Sequence, residues 1–214
     1  MTSFGKIDVF GAGALPLLQK LASSNLDKPV GSITYTQFLN EKGGIESDVT
    51  VTRMAEDRFR IISGTSFVSN DLGWIQMHLP KDGSADVSDV TEDLGCLALC
   101  GPCARQVLES VTRNDVSNHA FPYMTAQEID IEGIPVWAQR ISYAGELGWE
   151  LYIPWNEGLA VWDALMLGGK PYGLEPIGYK ALDTLRIEKG FLYWSGDITP
   201  DDNPYSRTGI LCGS

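Results

Sequence analysis

Between residues 32 and 63, apolar and polar positions alternate with the period of half-buried strands. Tyr35, Phe38 and Leu39 precede a Gly43-Gly44 turn, Val49 and Val51 follow it, and Phe59, Ile61 and Ile62 come after a polar break at Glu56-Asp57. This reads as a strand, a turn and two further strands. The same alternation predicts strands over 32–40, 48–54, 59–63, 85–89, 95–100, 126–131, 136–142 and 149–153, with Glu132-Gly133 as a hairpin turn. Helical spacing predicts helices over 14–23, 69–78, 102–111, 156–166 and 176–189. The first of these carries Leu17, Leu18 and Leu21 and has Pro16 in its opening turn. Strand runs interrupted by helices packed on one face make the fold class α+β. The loop Pro80-Lys81-Asp82-Gly83-Ser84 marks a boundary between sub-structures.

At 214 residues and 43% hydrophobic content, the chain can bury a substantial core as one or two domains. A net charge of −12 and a pI near 4.5 argue against partners that need a basic face, nucleic acid and anionic membranes among them. An anionic small molecule held by local Arg and Lys residues remains compatible with that charge. Met1-Thr2-Ser3-Phe4-Gly5-Lys6 lacks the pattern of a secretory signal and no apolar run reaches membrane-span length, so the expected location is cytoplasmic.

Candidate chemistry gathers in three blocks. The first, Gly43-Gly44-Ile45-Glu46-Ser47-Asp48, sets one acid between a glycine turn and a β-branched strand. Asp48 there can accept a hydrogen bond from a ring nitrogen or steady a developing cation, or else cap the turn. The second, Tyr143-Ala144-Gly145-Glu146-Leu147-Gly148-Trp149-Glu150, carries an aromatic and two carboxylates between strand-like runs. The third is Leu185-Arg186-Ile187-Glu188-Lys189-Gly190.

Three other patterns imitate sites. Cys96, Cys100 and Cys103 have the spacing of an iron–sulfur triad, and Cys100-Gly101-Pro102-Cys103 that of a redox dithiol, but they fall on an apolar strand feeding a helix. Gly11-Ala12-Gly13 lacks the third glycine of a dinucleotide fingerprint, since Pro16 stands there. His78 and His119 lie far apart with no second ligand nearby, so no metal site is expected.

Taken in order, the three blocks resemble the folate-binding aminomethyltransferase family, the T-protein of the glycine cleavage system. Their wording is closest to the tetrahydrofolate-binding half of dimethylglycine and sarcosine dehydrogenases. The resemblance covers residues 1–205, leaving 206–214 as a short tail. It implies tetrahydrofolate as the cofactor, with Asp48 beside the reacting nitrogens, Glu150 holding the pterin amino group and ring nitrogen, and Tyr143 and Glu146 next to the same pocket. Leu182 occupies the position where the T-protein proper has an arginine contacting the folate tail. Arg186, one helical turn later, is the substitute, with an ion pair to Asp183 as its alternative use. The implied reaction captures an iminium, formed from a methylated amine by a flavoprotein partner, as methylene-tetrahydrofolate. The alternative is a non-catalytic folate-binding or scaffold module. The family continues into a carboxyl-terminal β-barrel, so the resemblance implies lobes with that barrel missing. The apolar residues Phe191, Tyr193, Trp194 and Ile210 would then favour self-association or a partner.

Overall fold

The computed structural model describes residues 4–205, so Ile210 and the 206–214 tail lie outside the described residues. The chain forms two compact units. Of the described residues, one unit takes 4–91 together with 192–205, and the other runs from Glu92 to Phe191.

The first unit is built on a five-stranded antiparallel sheet in the order β2-β3-β4-β1-β5, with strands Phe4–Phe10 (β1), Ile33–Leu39 (β2), Ile45–Ala55 (β3), Arg58–Gly64 (β4) and Asp86–Asp89 (β5). Helices Ala14–Leu21 (α1) and Val68–Met77 (α2) cover one face, where Ile7, Val9, Val51 and Ile61 meet Leu17, Leu18, Leu21 and Ile75. The sequence pattern missed β1, because Lys6 and Asp8 interrupt its apolar residues. Both charges are buried: Lys6 Nζ donates to the Thr91 carbonyl at 2.9 Å, and Asp8 receives Arg60 at 2.7 Å and also pairs with Arg58. A central strand with partnered charges on its polar face reads in sequence like an exposed segment.

The turn before β3 is closed by Asn40, whose Oδ1 accepts from the N–H groups of Lys42 and Gly44 at 3.0 and 2.9 Å. Gly43 has φ +80°, and a Cβ on Gly44 would lie 2.5 Å from the Pro200 carbonyl oxygen, so the Gly-Gly pair is required sterically.

The second unit holds a four-stranded antiparallel sheet in the order β6-β9-β8-β7, from Leu94–Cys100 (β6), Ala126–Ile131 (β7), Ile134–Gln139 (β8) and Gly148–Pro154 (β9). The Glu132-Gly133 turn joins β7 to β8 with φ of +53° and +87°, as a tight hairpin needs. One face packs Leu99, Val136, Ala138, Trp149, Leu151 and Ile153 against helices Ala104–Glu109 (α3) and Gly158–Gly169 (α4). Helix α5 spans Tyr179–Glu188. Strand β8 ends at Gln139 rather than at 142, so Tyr143 and Glu146 lie in the loop leading to β9. No helix among the described residues is long and apolar enough to cross a membrane.

Candidate functional site

Side chains alternate across a strand, so the residues of β9 that avoid the core emerge together on the other face of the second sheet. These are Gly148, Glu150 and Tyr152, and strand register extends each into a row. Cys96, Tyr152 and Trp137 form one row; Ala98, Glu150 and Gln139 form the next. Glu150 is 6% exposed, and its Oε2 accepts from the Tyr152 hydroxyl at 2.7 Å. Burial pushes the Glu150 carboxyl up to about 7, with the Tyr152 bond pulling the other way. Near neutrality this acid stands between its two charge states, able to donate or accept. Gln139 is fully buried, and among the described residues neither of its amide atoms has a hydrogen-bond partner.

The loop before β9 carries the aromatic. The Tyr143 ring stacks on Phe191, with centroids 6.3 Å apart and planes 24° from parallel. Arg186 fixes that partner: its Nε donates to Asp183 at 2.7 Å and its NH1 to the Phe191 carbonyl at 3.0 Å. Glu146 pairs with Lys189 Nζ at 2.9 Å, both about two-fifths exposed. Gly145 between them has φ +68°, and a Cβ there would lie 2.3 Å from the Lys189 stem. In this way the structure groups Tyr143, Glu146 and Arg186 around one loop, with Glu150 on the adjoining strand.

Asp48 belongs to the other unit. It lies inside β3, directly opposite Gln37 of β2, and its Oδ1 accepts from Gln37 Nε2 at 2.8 Å. The turn-capping alternative is therefore set aside, since Asn40 performs that task. Burial pushes the Asp48 carboxyl up to about 6, against the hydrogen bonds from Gln37 and Tyr35, and the charge of Asp71 adds to the rise. Asp71, on α2, is buried, accepts from the Ser47 hydroxyl at 2.7 Å and is itself pushed up by burial.

Two residues escaped the sequence reading. Asp71 looks in sequence like an ordinary acid in the first turn of a helix. Gln139 looks like one polar position inside the strand predicted over 136–142, and its importance shows only once the β8–β9 register sets it against Glu150.

The thiols are arranged otherwise than an iron-binding triad requires. Cys96 and Cys100 share a face of β6, yet with three strand residues between them they stand about 13 Å apart. Burial and the charge of Glu146 push the Cys100 thiol up, away from thiolate reactivity. Among the described residues, no group of three or more His, Cys, Asp or Glu is placed to hold a metal ion. His78 ends α2, its Nδ1 within 2.8 Å of the Trp74 carbonyl oxygen and its ring against Trp74. Of the apolar trio expected on the surface, Phe191 is exposed, whereas Tyr193 and Trp194 are half-buried, Trp194 lying edge-on to Phe67.

The family model described as the GCVT N-terminal domain matches residues 1–209. Mouse mitochondrial sarcosine dehydrogenase is 38% identical over 95% of this chain, and human mitochondrial dimethylglycine dehydrogenase 35% identical over 95%. The mouse mitochondrial pyruvate dehydrogenase phosphatase regulatory subunit is 36% identical over 98%. The chain spans about a quarter of the length of these relatives, 24% of each. The crystal structure of the glycine cleavage system aminomethyltransferase T from Bartonella henselae superposes with a TM-score of 0.81 at 26% identity, covering 95% of this chain and 53% of that one. The mitochondrial names of these relatives overturn the expectation of a cytoplasmic location.

Proposed function

Because this chain belongs to the GCVT N-terminal domain family, we propose that it binds tetrahydrofolate and serves one-carbon transfer from a methylated amine. The observation that carries this reading is Glu150, a buried acid whose one hydrogen-bond partner among the described residues is Tyr152, and whose carboxyl is poised at about 7. Such a group fits a planar ring that presents N–H donors, because accepting a hydrogen bond favours the ionised form that burial disfavours. When bound, reduced folate supplies a ring nitrogen able to take up a one-carbon unit.

The remaining roles belong to the protein. The Tyr152 hydroxyl holds one Glu150 oxygen and so fixes the carboxyl plane. Tyr143, backed by Phe191, offers a flat aromatic surface, and Arg186 braces it by holding the Phe191 carbonyl. The Glu146–Lys189 pair tethers the same loop. Asp48, poised at about 6, is mostly ionised at neutral pH and can steady a cationic amine or take its proton. Amine oxidation is assigned to a flavin-bearing partner.

A second reading, a regulatory module that binds folate without chemistry, is favoured by one observation, the likeness to a phosphatase regulatory subunit. Anaerobic calorimetric titration with tetrahydrofolate tests the binding shared by both. Glu150→Ala is expected to weaken it by about 1.5–3 kcal/mol, or ten- to hundredfold. Equal affinity in the variant removes Glu150 from the site. Methylene-tetrahydrofolate formation with the flavin partner then separates the two readings, because the regulatory one predicts none.

A further inference from the structure

Gln139 closes β8 directly opposite Glu150 of β9, so the two side chains leave the same face of the sheet. It is 0% exposed, yet neither its Oε1 nor its Nε2 has a hydrogen-bond partner among the described residues. Burying a carboxamide with both ends unsatisfied is costly, and an apolar side chain of the same length would fill the space without that penalty. Its neighbours do not relieve it. Ala98, third in the row, has no polar side-chain group, and the Tyr152 hydroxyl is committed to Glu150 at 2.7 Å. Trp137, beside Tyr152 in the next row, carries a buried Nε1 that also lacks a partner among the described residues. One sheet face therefore presents the Glu150 carboxyl, a carboxamide acceptor and donor, and an indole donor.

A carboxamide offers an acceptor and a donor in a single plane. That pair matches a cyclic amide, whose ring N–H donates and whose carbonyl accepts along one edge. We propose that Gln139 reads the cyclic-amide edge of the bound pterin while Glu150 accepts from the adjacent amino group, so that the ring nitrogen which the family resemblance gives to Glu150 falls to Gln139 and the two together select the ring. Acceptor, acceptor and donor on the protein then meet donor, donor and acceptor on the ring. The proposal rests on the folate-binding reading and adds to it a residue and a basis for ring selectivity.

Gln139→Met tests it with two readouts, thermal melting of the free protein and titration with two probes. The probes are tetrahydrofolate and tetrahydropterin, which has the ring but no benzoylglutamate tail. The expected result is a melting temperature equal to or above that of the unsubstituted chain, with affinity for both probes reduced ten- to hundredfold by the same factor. Gln139→Leu repeats the measurement should methionine disturb packing. A lower melting temperature with unchanged affinities would make Gln139 a structural residue and overturn the proposal. So would a loss confined to tetrahydrofolate, which would place the residue against the tail. If the unsubstituted chain binds neither probe, the folate reading fails and takes this proposal with it. If it binds both and Glu150→Ala weakens them while Gln139→Met does not, the Gln139 assignment alone fails.

Discussion

Replacing Glu150 with Gln should make the free protein more stable above neutrality. The folded chain holds the Glu150 proton up to about pH 7, whereas the unfolded chain releases it near the ordinary value of 4.5. Between those values the folded state binds more protons, so stability is greatest below pH 4.5 and falls as the pH rises through 7. The loss is about 3 kcal/mol at 1.36 kcal/mol per tenfold change in proton affinity. Glutamine stays neutral throughout and leaves an oxygen for the Tyr152 hydroxyl, but its buried NH2 costs about 1 kcal/mol for want of a partner. The net expectation at pH 8 is a gain of about 2 kcal/mol, or about 4–8 °C in Tm for a chain of this size. At pH 4 the variant should melt at or below the unsubstituted protein. Melting curves from pH 4 to 9 decide the matter. Parallel Tm profiles for the two proteins would show that Glu150 ionises as an exposed acid does, and would refute the reasoning. A residual slope is expected in the variant, because Asp48 and Asp71 are raised as well.

Asp48→Asn should lower methylene-tetrahydrofolate yield with a flavin partner by tenfold or more while tetrahydrofolate affinity changes by less than threefold, as steady-state and binding assays will show. Asp8→Ala strands the Arg60 guanidinium in the sheet and should cost about 3–5 kcal/mol in urea unfolding. Gly145→Ala forces a side chain to φ +68° against the Lys189 stem and should cost at least about 1 kcal/mol by the same method. Protein purified without oxygen should be colourless and free of stoichiometric iron by metal analysis, since Cys96 and Cys100 lie too far apart along β6 to share a cluster.

Much of this architecture is legible in the sequence because one sheet face is apolar. The Val49/Val51 and Trp149/Leu151/Ile153 alternations locate β3 and β9 within three residues at either end. Glycines at Gly43 and Gly133 mark turns whose positive φ values bear them out. What was hidden depended on partners remote in sequence. β1 reads as broken because Lys6 is satisfied by Thr91 and Asp8 by Arg58 and Arg60, some fifty to eighty-five positions away. Glu150 stands out through its motif, whereas its neighbour Gln139 is ordinary until the β8–β9 register is known. Arg186 shows the opposite limit, since helical spacing suggests the Asp183 pair but gives no hint that a second arm holds the Phe191 carbonyl.

The most direct test of the central claim counts the protons released when the ring binds. At pH 6 a carboxyl poised at about 7 is about nine-tenths protonated, and accepting ring donors requires it to ionise. Titration of the protein with tetrahydrofolate at pH 6, in two buffers of different ionisation enthalpy, should therefore show release of about 0.9 proton per ring bound. Glu150→Gln should abolish that release. Binding with no proton release, or with equal release from the Gln variant, would contradict Glu150 as the group that receives the folate.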